Sequence, residues 1–380
     1  MIPEGEMQGL PSAECEQPLV VHTGSACGNE VVRLKHQKPT IYFVLDVSGS
    51  MSDRVLDRRA TKLEAAQAAL IDVAGEIGHR AKYGLTVFPG DDTNLTEAMT
   101  TGATPLFGCA PGDEVFSVQE GDPVVCLNRK PAGPILRKFS RVVNEAKPRG
   151  GTPLSPTLDA ITPSLLSQDG VAAVVLVTDG SPNCNPEAVC KIDDCQPNRS
   201  GDILQTTGNR QIACDAEFNC CDVDLVGDIV SYPAAGCVDV DASEEKLELL
   251  RNAGVDTYVI GVLGLSDFDN VMNRLAVAGG QPRPGRRAYY DVESLEELSD
   301  TVRAIGLTLT QQCDIRLTDR PAFSNELNVY FDAEVVPFDS ENGWSIEDDL
   351  VTLNGSSCDT LQSGRVTEVQ MVSGCETILR

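Results

Sequence analysis

Two carboxylates and three hydroxyls are the side chains of this sequence best suited to do chemistry. Asp46, Ser48 and Ser50 stand at i, i+2 and i+4 in the segment Asp46-Val47-Ser48-Gly49-Ser50. Thr152 stands in the turn Gly150-Gly151-Thr152-Pro153, and Asp179 in the turn Thr178-Asp179-Gly180-Ser181. Alternate positions let a curled loop aim three side chains at one point, and Gly49 permits the tight backbone this needs. The donors are all oxygen, which is the preference of hard cations such as Mg²⁺ and Ca²⁺. The bland alternative is that the three loops only cap strands and bind nothing. The residue types match the cation.

The elements around these loops place them. Residues 40–46 are an apolar run ending in Asp46, and residues 171–178 are another ending just before Asp179. Continuous apolar runs of this length suit parallel strands covered on both faces. A helical apolar period runs over residues 61–77, with Leu63, Ala66, Ala69, Leu70, Val73 and Ile77 on one side. Further strands are expected at 84–88, 114–118 (an edge), 256–261 and 288–292, and helices at 135–146, 157–166, 268–278 and 295–309. A helix ending at Asn252 is expected to start on a capping box, Asp241-Ala242-Ser243-Glu244. Strands alternating with helices predict an α/β fold, a doubly wound and mostly parallel sheet flanked by helices. In such sheets ligands bind at the carboxyl ends of the strands, where strand order reverses. Two of the three loops lie at such ends, and the third can reach the same rim.

Asp-x-Ser-x-Ser alone is a weak signal. Joined with the Gly-Gly-Thr-Pro turn, the Thr-Asp-Gly turn and the βα alternation, it resembles the metal-ion-dependent adhesion site of von Willebrand factor A domains, over roughly residues 38–309. The resemblance implies that Ser48, Ser50 and Thr152 are hydroxyl ligands. It implies that Asp46 and Asp179 are the carboxylates that hold the metal, often through water. It leaves one coordination position open for an acidic side chain of a partner. The cation expected is Mg²⁺, with Mn²⁺ or Ca²⁺ as the alternatives.

Composition narrows the partners and the compartment. The formal net charge is -27, from 57 acidic and 30 basic residues. Such a surface repels nucleic acid and anionic lipid and attracts divalent cations. No apolar run is long enough to span a bilayer, so any membrane attachment is indirect. Fourteen cysteines, an even number set in polar segments, predict disulfides in an oxidising, extracytoplasmic compartment. Structural zinc is the rival, but no pair of CxxC motifs is present and none of His22, His36 and His79 lies near a cysteine pair at zinc spacing. The first residues lack the basic start and apolar middle of a secretion leader; the cysteines outweigh this. Three Asn-x-Ser/Thr sequons (Asn94, Asn198, Asn354) matter only in a eukaryotic secretory host.

Three parts are expected: a stapled extension over 1–37, an A-type domain over 38–311, and a small all-β module over 312–380. Within the second, residues 181–242 form a cysteine-rich insertion that starts at the metal rim and needs covalent staples to stay ordered. It holds seven cysteines, so at least one is expected to pair outside it unless one is free. Adjacent Cys220 and Cys221 are expected to bond different partners. Asp193, Asp194, Asp222, Asp224, Asp239 and Asp241 do not follow EF-hand spacing and are read as a solvated loop rather than a Ca²⁺ site. In the last part, residues 327–335, 350–353 and 366–372 alternate as strands, with turns at Asn342-Gly343 and Asn354-Gly355 and staples from Cys313, Cys358 and Cys375. Its pattern, with Asn342-Gly343-Trp344, Gly355-Ser356-Ser357-Cys358 and Ser373-Gly374-Cys375, resembles the cysteine-bearing C-terminal module on some bacterial surface A-domain proteins, including ones similar to myxobacterial gliding adhesins. Trp344, the single tryptophan, is expected in a core.

The function this predicts is metal-dependent adhesion, with a protein or surface ligand presenting a carboxylate as partner and no nucleic acid. An enzyme is disfavoured. No Gly-x-Ser-x-Gly elbow surrounds Ser48 or Ser50, and no histidine lies in the three loops to act as base. A metal-dependent hydrolase with Asp46 or Asp179 as base is the weakest reading. An intracellular assembly adaptor working with an ATPase shares the metal loops but not the cysteines.

Overall fold

The structure, a computed structural model, describes residues 30–31, 38–54, 60–91, 108–122, 133–168, 170–185, 188–201, 203–205, 211–222, 234–262, 268–310, 313–317, 326–332, 334–362, 366, 369–374 and 376–378. Cys15, Cys27, Cys126, Cys375, Asn94 and Asp224 lie outside the described residues. In chain order the first elements are β1 (Glu30–Val31), β2 (Thr40–Asp46), α1 (Lys62–Ile77), β3 (Lys82–Phe88), β4 (Asp113–Glu120), α2 (Pro134–Glu145), α3 (Leu154–Leu166) and β5 (Ala172–Thr178). The insertion carries α4 (Gln196–Ser200), β6 (Ile203–Gln205) and β7 (Gln211–Ala213). Then come α5 (Val240–Asn252), β8 (Asp256–Val262), α6 (Asp269–Ala278), β9 (Tyr290–Val292) and α7 (Leu295–Thr310).

The central sheet has the order β4-β3-β2-β5-β8-β9. All its neighbours are parallel except β4, the antiparallel edge. Every residue of β2 and of β5 is buried, as strands covered on both faces must be. Side chains of a strand alternate between faces. Ile41, Phe43 and Leu45 therefore join a core with α1, α2 and α7, while Tyr42 and Val44 join one with α3, α5 and α6. This is the doubly wound α/β sheet expected. The chain leaves β2 toward β3 and later returns to the other side of β2 as β5, so strand order reverses between them, where a doubly wound sheet opens a crevice.

Helix α1 starts on a capping box that the sequence reading did not single out. Thr61 Oγ1 accepts the Glu64 amide at 3.1 Å, and Glu64 Oε2 accepts the Thr61 amide at 2.8 Å. The capping box expected at residues 241–244 is not formed. Helix α5 begins earlier, with Asp239 at its N-cap and no side-chain cap. Asp241 and Glu244 instead pair with Arg274 of α6, because a cation across the helix interface competes for the carboxylates that would cap.

The insertion has a core of sulfur in place of aliphatic side chains. Cys195, Cys214, Cys220, Cys221 and Cys237 are buried together beside Phe218. Cys190–Cys237, Cys195–Cys221 and Cys214–Cys220 are bonded within it, so Cys220 and Cys221 do take different partners. The seventh cysteine, Cys184, pairs outside, with Cys109. Cys190, Cys221 and Cys237 bring three sulfurs close together, but all three are spent in disulfides rather than free for zinc. The insertion's aspartates form no group of three metal-ligating side chains among the described residues.

The C-terminal part contains β10 (Asp314–Arg316), β11 (Leu327–Phe331), β12 (Glu334–Val336), β13 (Trp344–Glu347), β14 (Leu350–Leu353), α8 (Gly355–Gln362) and β15 (Val369–Ser373). Its strands form two antiparallel sheets, β1-β15-β11-β12 and β10-β14-β13, with Cys313–Cys358 as a staple. Residues 327–335, read as one strand, are a hairpin that turns at Asp332, whose φ of 46° is left-handed. Asn354-Gly355, read as a turn between strands, leads instead into α8. Trp344 is buried, and its indole N–H donates to the Val336 carbonyl at 3.0 Å, which places it in the core. Glu30–Val31 pairs with β15, so this short piece of the expected extension is a strand of the C-terminal sheet. Among the described residues no helix is long and apolar enough to cross a membrane.

Candidate metal centre

The first loop is shaped by its own residues. Asp46 ends β2, and its Oδ1 accepts the Ser48 amide at 2.7 Å, a local turn that aspartate favours. The 3₁₀ turn Gly49–Ser52 follows, anchored by the buried side chain of Met51. Asp46 and Ser48 are buried while Ser50 is exposed, so the loop leads from the core to solvent.

The second loop is built by close backbone contact. Gly49 N–H donates to the Gly150 carbonyl at 3.0 Å, joining the first loop to the second. Gly150 has φ 57°, and a Cβ there would lie 2.2 Å from the Gly108 carbonyl oxygen. A Cβ on Gly151 would lie 2.6 Å from Cys184 Sγ and 2.8 Å from Asn183 Oδ1. Gly150 thus admits the Gly108 backbone, and Gly151 leaves room for the Cys109–Cys184 disulfide. Thr152 is 6% exposed. It is held from both sides by Asn183, whose Oδ1 accepts the Thr152 amide and whose own amide donates to the Thr152 carbonyl.

The third loop closes the arrangement. Thr178 Oγ1 donates to Asp46 Oδ2 at 2.5 Å, and Ser50 Oγ donates to Asp179 Oδ1 at 2.8 Å. Ser48 Oγ and Ser50 Oγ are 3.2 Å apart. Lys62 Nζ donates to Asp179 Oδ2 at 2.8 Å. Of the five residues the sequence singles out, Asp46, Ser48, Ser50 and Asp179 are linked side chain to side chain or through one amide. Thr152 joins them through backbone, by the bond between Gly49 and Gly150. The sequence reading missed Thr178, Lys62 and Asn183. A threonine closing an apolar strand before Asp179 was a usable signal for the first, and a lysine in the first turn of a helix for the second.

Two carboxylates in so dry a place repel. Burial, and then the charge of Asp179, push the Asp46 carboxyl up to about 7; the hydrogen bonds from Thr178 and Ser48 pull the other way. A divalent cation would relieve that repulsion. Octahedral ligands at roughly 2.1 Å from Mg²⁺ place neighbouring oxygens ~3 Å apart. The separations along Ser48 Oγ, Ser50 Oγ and Asp179 Oδ1 are 3.2 and 2.8 Å, so the oxygens present fit such a cation.

No family model matches the sequence, and no curated protein matches it. Solved structures do. The chain is similar to the D319A mutant of the PilB minor pilin from Streptococcus sanguinis, at 17% identity over 72% of this chain and 62% of that one, with a TM-score of 0.43. It is similar to the pilus adhesin SpaC from Lactobacillus rhamnosus GG in an open conformation, at 12% identity over 93% of this chain and 38% of that one, with a TM-score of 0.46. It is also similar to the vWF domain of the type V pili tip protein Mfa5 from Porphyromonas gingivalis, at 12% identity over 74% of this chain and 97% of that one, with a TM-score of 0.41. The chain spans less than two thirds of the length of the first two. At these scores the fold reading rests on the strand order and the loops themselves.

Proposed function

We propose that this chain is an adhesion or ligand-binding protein of the cell surface or extracytoplasmic space. It grips an acidic group of a partner through a divalent cation held by Asp46, Ser48, Ser50, Thr152 and Asp179. The reading is carried by the run of oxygens from Ser48 through Ser50 to Asp179 at octahedral spacing, backed by buried Asp46. When bound, the cation supplies an electrophilic point with a position open to a carboxylate. Three hydroxyls against two carboxylates keep the negative charge at that point low.

Binding suits these residues better than catalysis. Both Asp46 oxygens already accept hydrogen bonds, one from the Ser48 amide and one from Thr178, and Asp179 is engaged by Ser50 and Lys62. The three loops contain no histidine to act as a general base. The five disulfides among the described residues support an oxidising compartment over a cytosolic adaptor role.

The test is calorimetric titration of metal-stripped protein with Mg²⁺, Mn²⁺ and Ca²⁺, beside Asp46→Asn, which keeps the side chain's shape. One saturable site, lost or weakened at least tenfold in the variant, is expected. No binding, or binding indifferent to Asp46, overturns the reading.

A further inference from the structure

We infer that Lys62 sets the charge of this site, loosening its hold on the cation while strengthening the grip of the loaded site on a carboxylate. The inference rests on the metal reading above.

Lys62 opens α1, immediately after the Thr61 cap. A cation in the first turn opposes the helix dipole, so helix stability does not account for a lysine there. The strand-like approach of Arg54 to Thr61 and the bond from the Lys62 amide to the Asp53 carbonyl at 2.9 Å fix its backbone. Its ammonium lies 2.8 Å from Asp179 Oδ2 and 3.7 Å from Asp53 Oδ2, with 14% of the side chain exposed. The Asp179 side chain is fully buried, whereas that of Asp53 is 68% exposed, so the Asp179 pair is the one held away from solvent. Asp179 thus turns one oxygen to Ser50 and the other to Lys62.

Asp46 and Asp179 bring two negative charges to the three loops, and the Lys62 ammonium offsets one of them. Opposite charges attract and like charges repel over these few ångströms. Removing the ammonium therefore acts in two directions. The more negative site holds a divalent cation more tightly. The loaded site, carrying one positive charge less, holds an anionic ligand more weakly. A lysine that served only to hold the loops together would give a different result, because its loss would weaken both.

The experiment uses the full chain with Lys62→Met and Lys62→Arg. Mn²⁺ binding is read from the electron paramagnetic resonance of the free ion. Acetate binding to the Mn²⁺-loaded protein is read from water proton relaxation. Lys62→Met is expected to bind Mn²⁺ about tenfold more tightly and acetate about tenfold more weakly, from the loss of one nearby charge. Lys62→Arg keeps the charge and is expected to keep both wild-type affinities within about threefold. Mn²⁺ affinity unchanged or weakened in Lys62→Met overturns the inference, and so does acetate binding that does not weaken. Wild-type protein that fails to bind Mn²⁺ overturns the metal reading itself, so the two failures are distinct. A cooperative thermal melt verifies folding, and Lys62→Gln replaces Lys62→Met if the latter does not melt cooperatively.

Discussion

Asn183 clasps Thr152 by its backbone on both sides, accepting its amide at 2.7 Å and donating to its carbonyl at 2.9 Å. Asn183 is itself held by Gln196 at the start of α4, through a 2.6 Å bond from its Nδ2. The insertion is thereby coupled to the second loop of the proposed metal centre, rather than hanging free beside it.

Removing the side-chain half of that clasp should loosen Thr152 without touching the other proposed ligands. Asn183→Ala leaves the buried Thr152 amide without its acceptor, a loss of about 1–3 kcal/mol. Thermal denaturation should show a lower Tm. Calorimetry should show Mg²⁺ affinity reduced by about tenfold, with the stoichiometry unchanged. Unchanged affinity would mean that the hydroxyl of Thr152 is placed by other contacts.

The Cys109–Cys184 disulfide packs against Gly151 and should act on the same loop. The paired substitution Cys109→Ser with Cys184→Ser is expected to cost about 2–4 kcal/mol of stability and to weaken metal binding. Gly151→Ala drives a methyl group into the same sulfur and should weaken metal binding with every disulfide intact. Ten of the fourteen cysteines are bonded in the five disulfides among the described residues, so denatured, unreduced protein should titrate no more than four free thiols with Ellman's reagent. A count near fourteen would sink the oxidising-compartment reading.

The buried Asp46 carboxyl makes stability depend on pH with a definite sign. Its pKa rises from an ordinary 3.8 to about 7 on folding, chiefly through burial and then through repulsion from Asp179. Between those values the folded chain holds a proton that the unfolded chain has released. Stability of the metal-free protein from this group is therefore full below about pH 4 and is lost as pH rises toward 7. Each pH unit in that window costs on the order of 1 kcal/mol. Denaturant titrations at a series of pH values should show this slope in metal-stripped wild type and its loss in Asp46→Asn. Metal affinity should fall as pH drops below about 7, because the proton and the cation compete for the same carboxylate.

The elements that carry the loops were legible because each is a local pattern. A seven-residue apolar run ending in Asp46, and another ending beside Asp179, announce buried parallel strands by length and composition alone. The odd cysteine count of the insertion pointed to at least one bond leaving it, and the structure shows that Cys184 makes it, with Cys109. Where a local pattern had a competitor, the reading failed. Asp241 and Glu244 have the spacing of a cap, but Arg274, remote in sequence, takes both. The alternation of residues 327–335 continued through Asp332, where the backbone turns back.

The sequence by itself determined that the sheet is doubly wound, and it picked out Asp46, Ser48, Ser50 and Asp179, which the fold links to one another. The tertiary structure decided what surrounds those side chains. Thr178 reaches Asp46 across 132 residues, Lys62 reaches Asp179 across 117, and Cys109 meets Cys184 across 75. Contacts at such separations leave no periodicity to read, because each depends on how α1, β5 and the insertion converge once the sheet has formed. The proposed ligand types follow from residue chemistry and strand-end position, whereas the charge and rigidity of the site follow from packing that only the folded chain specifies.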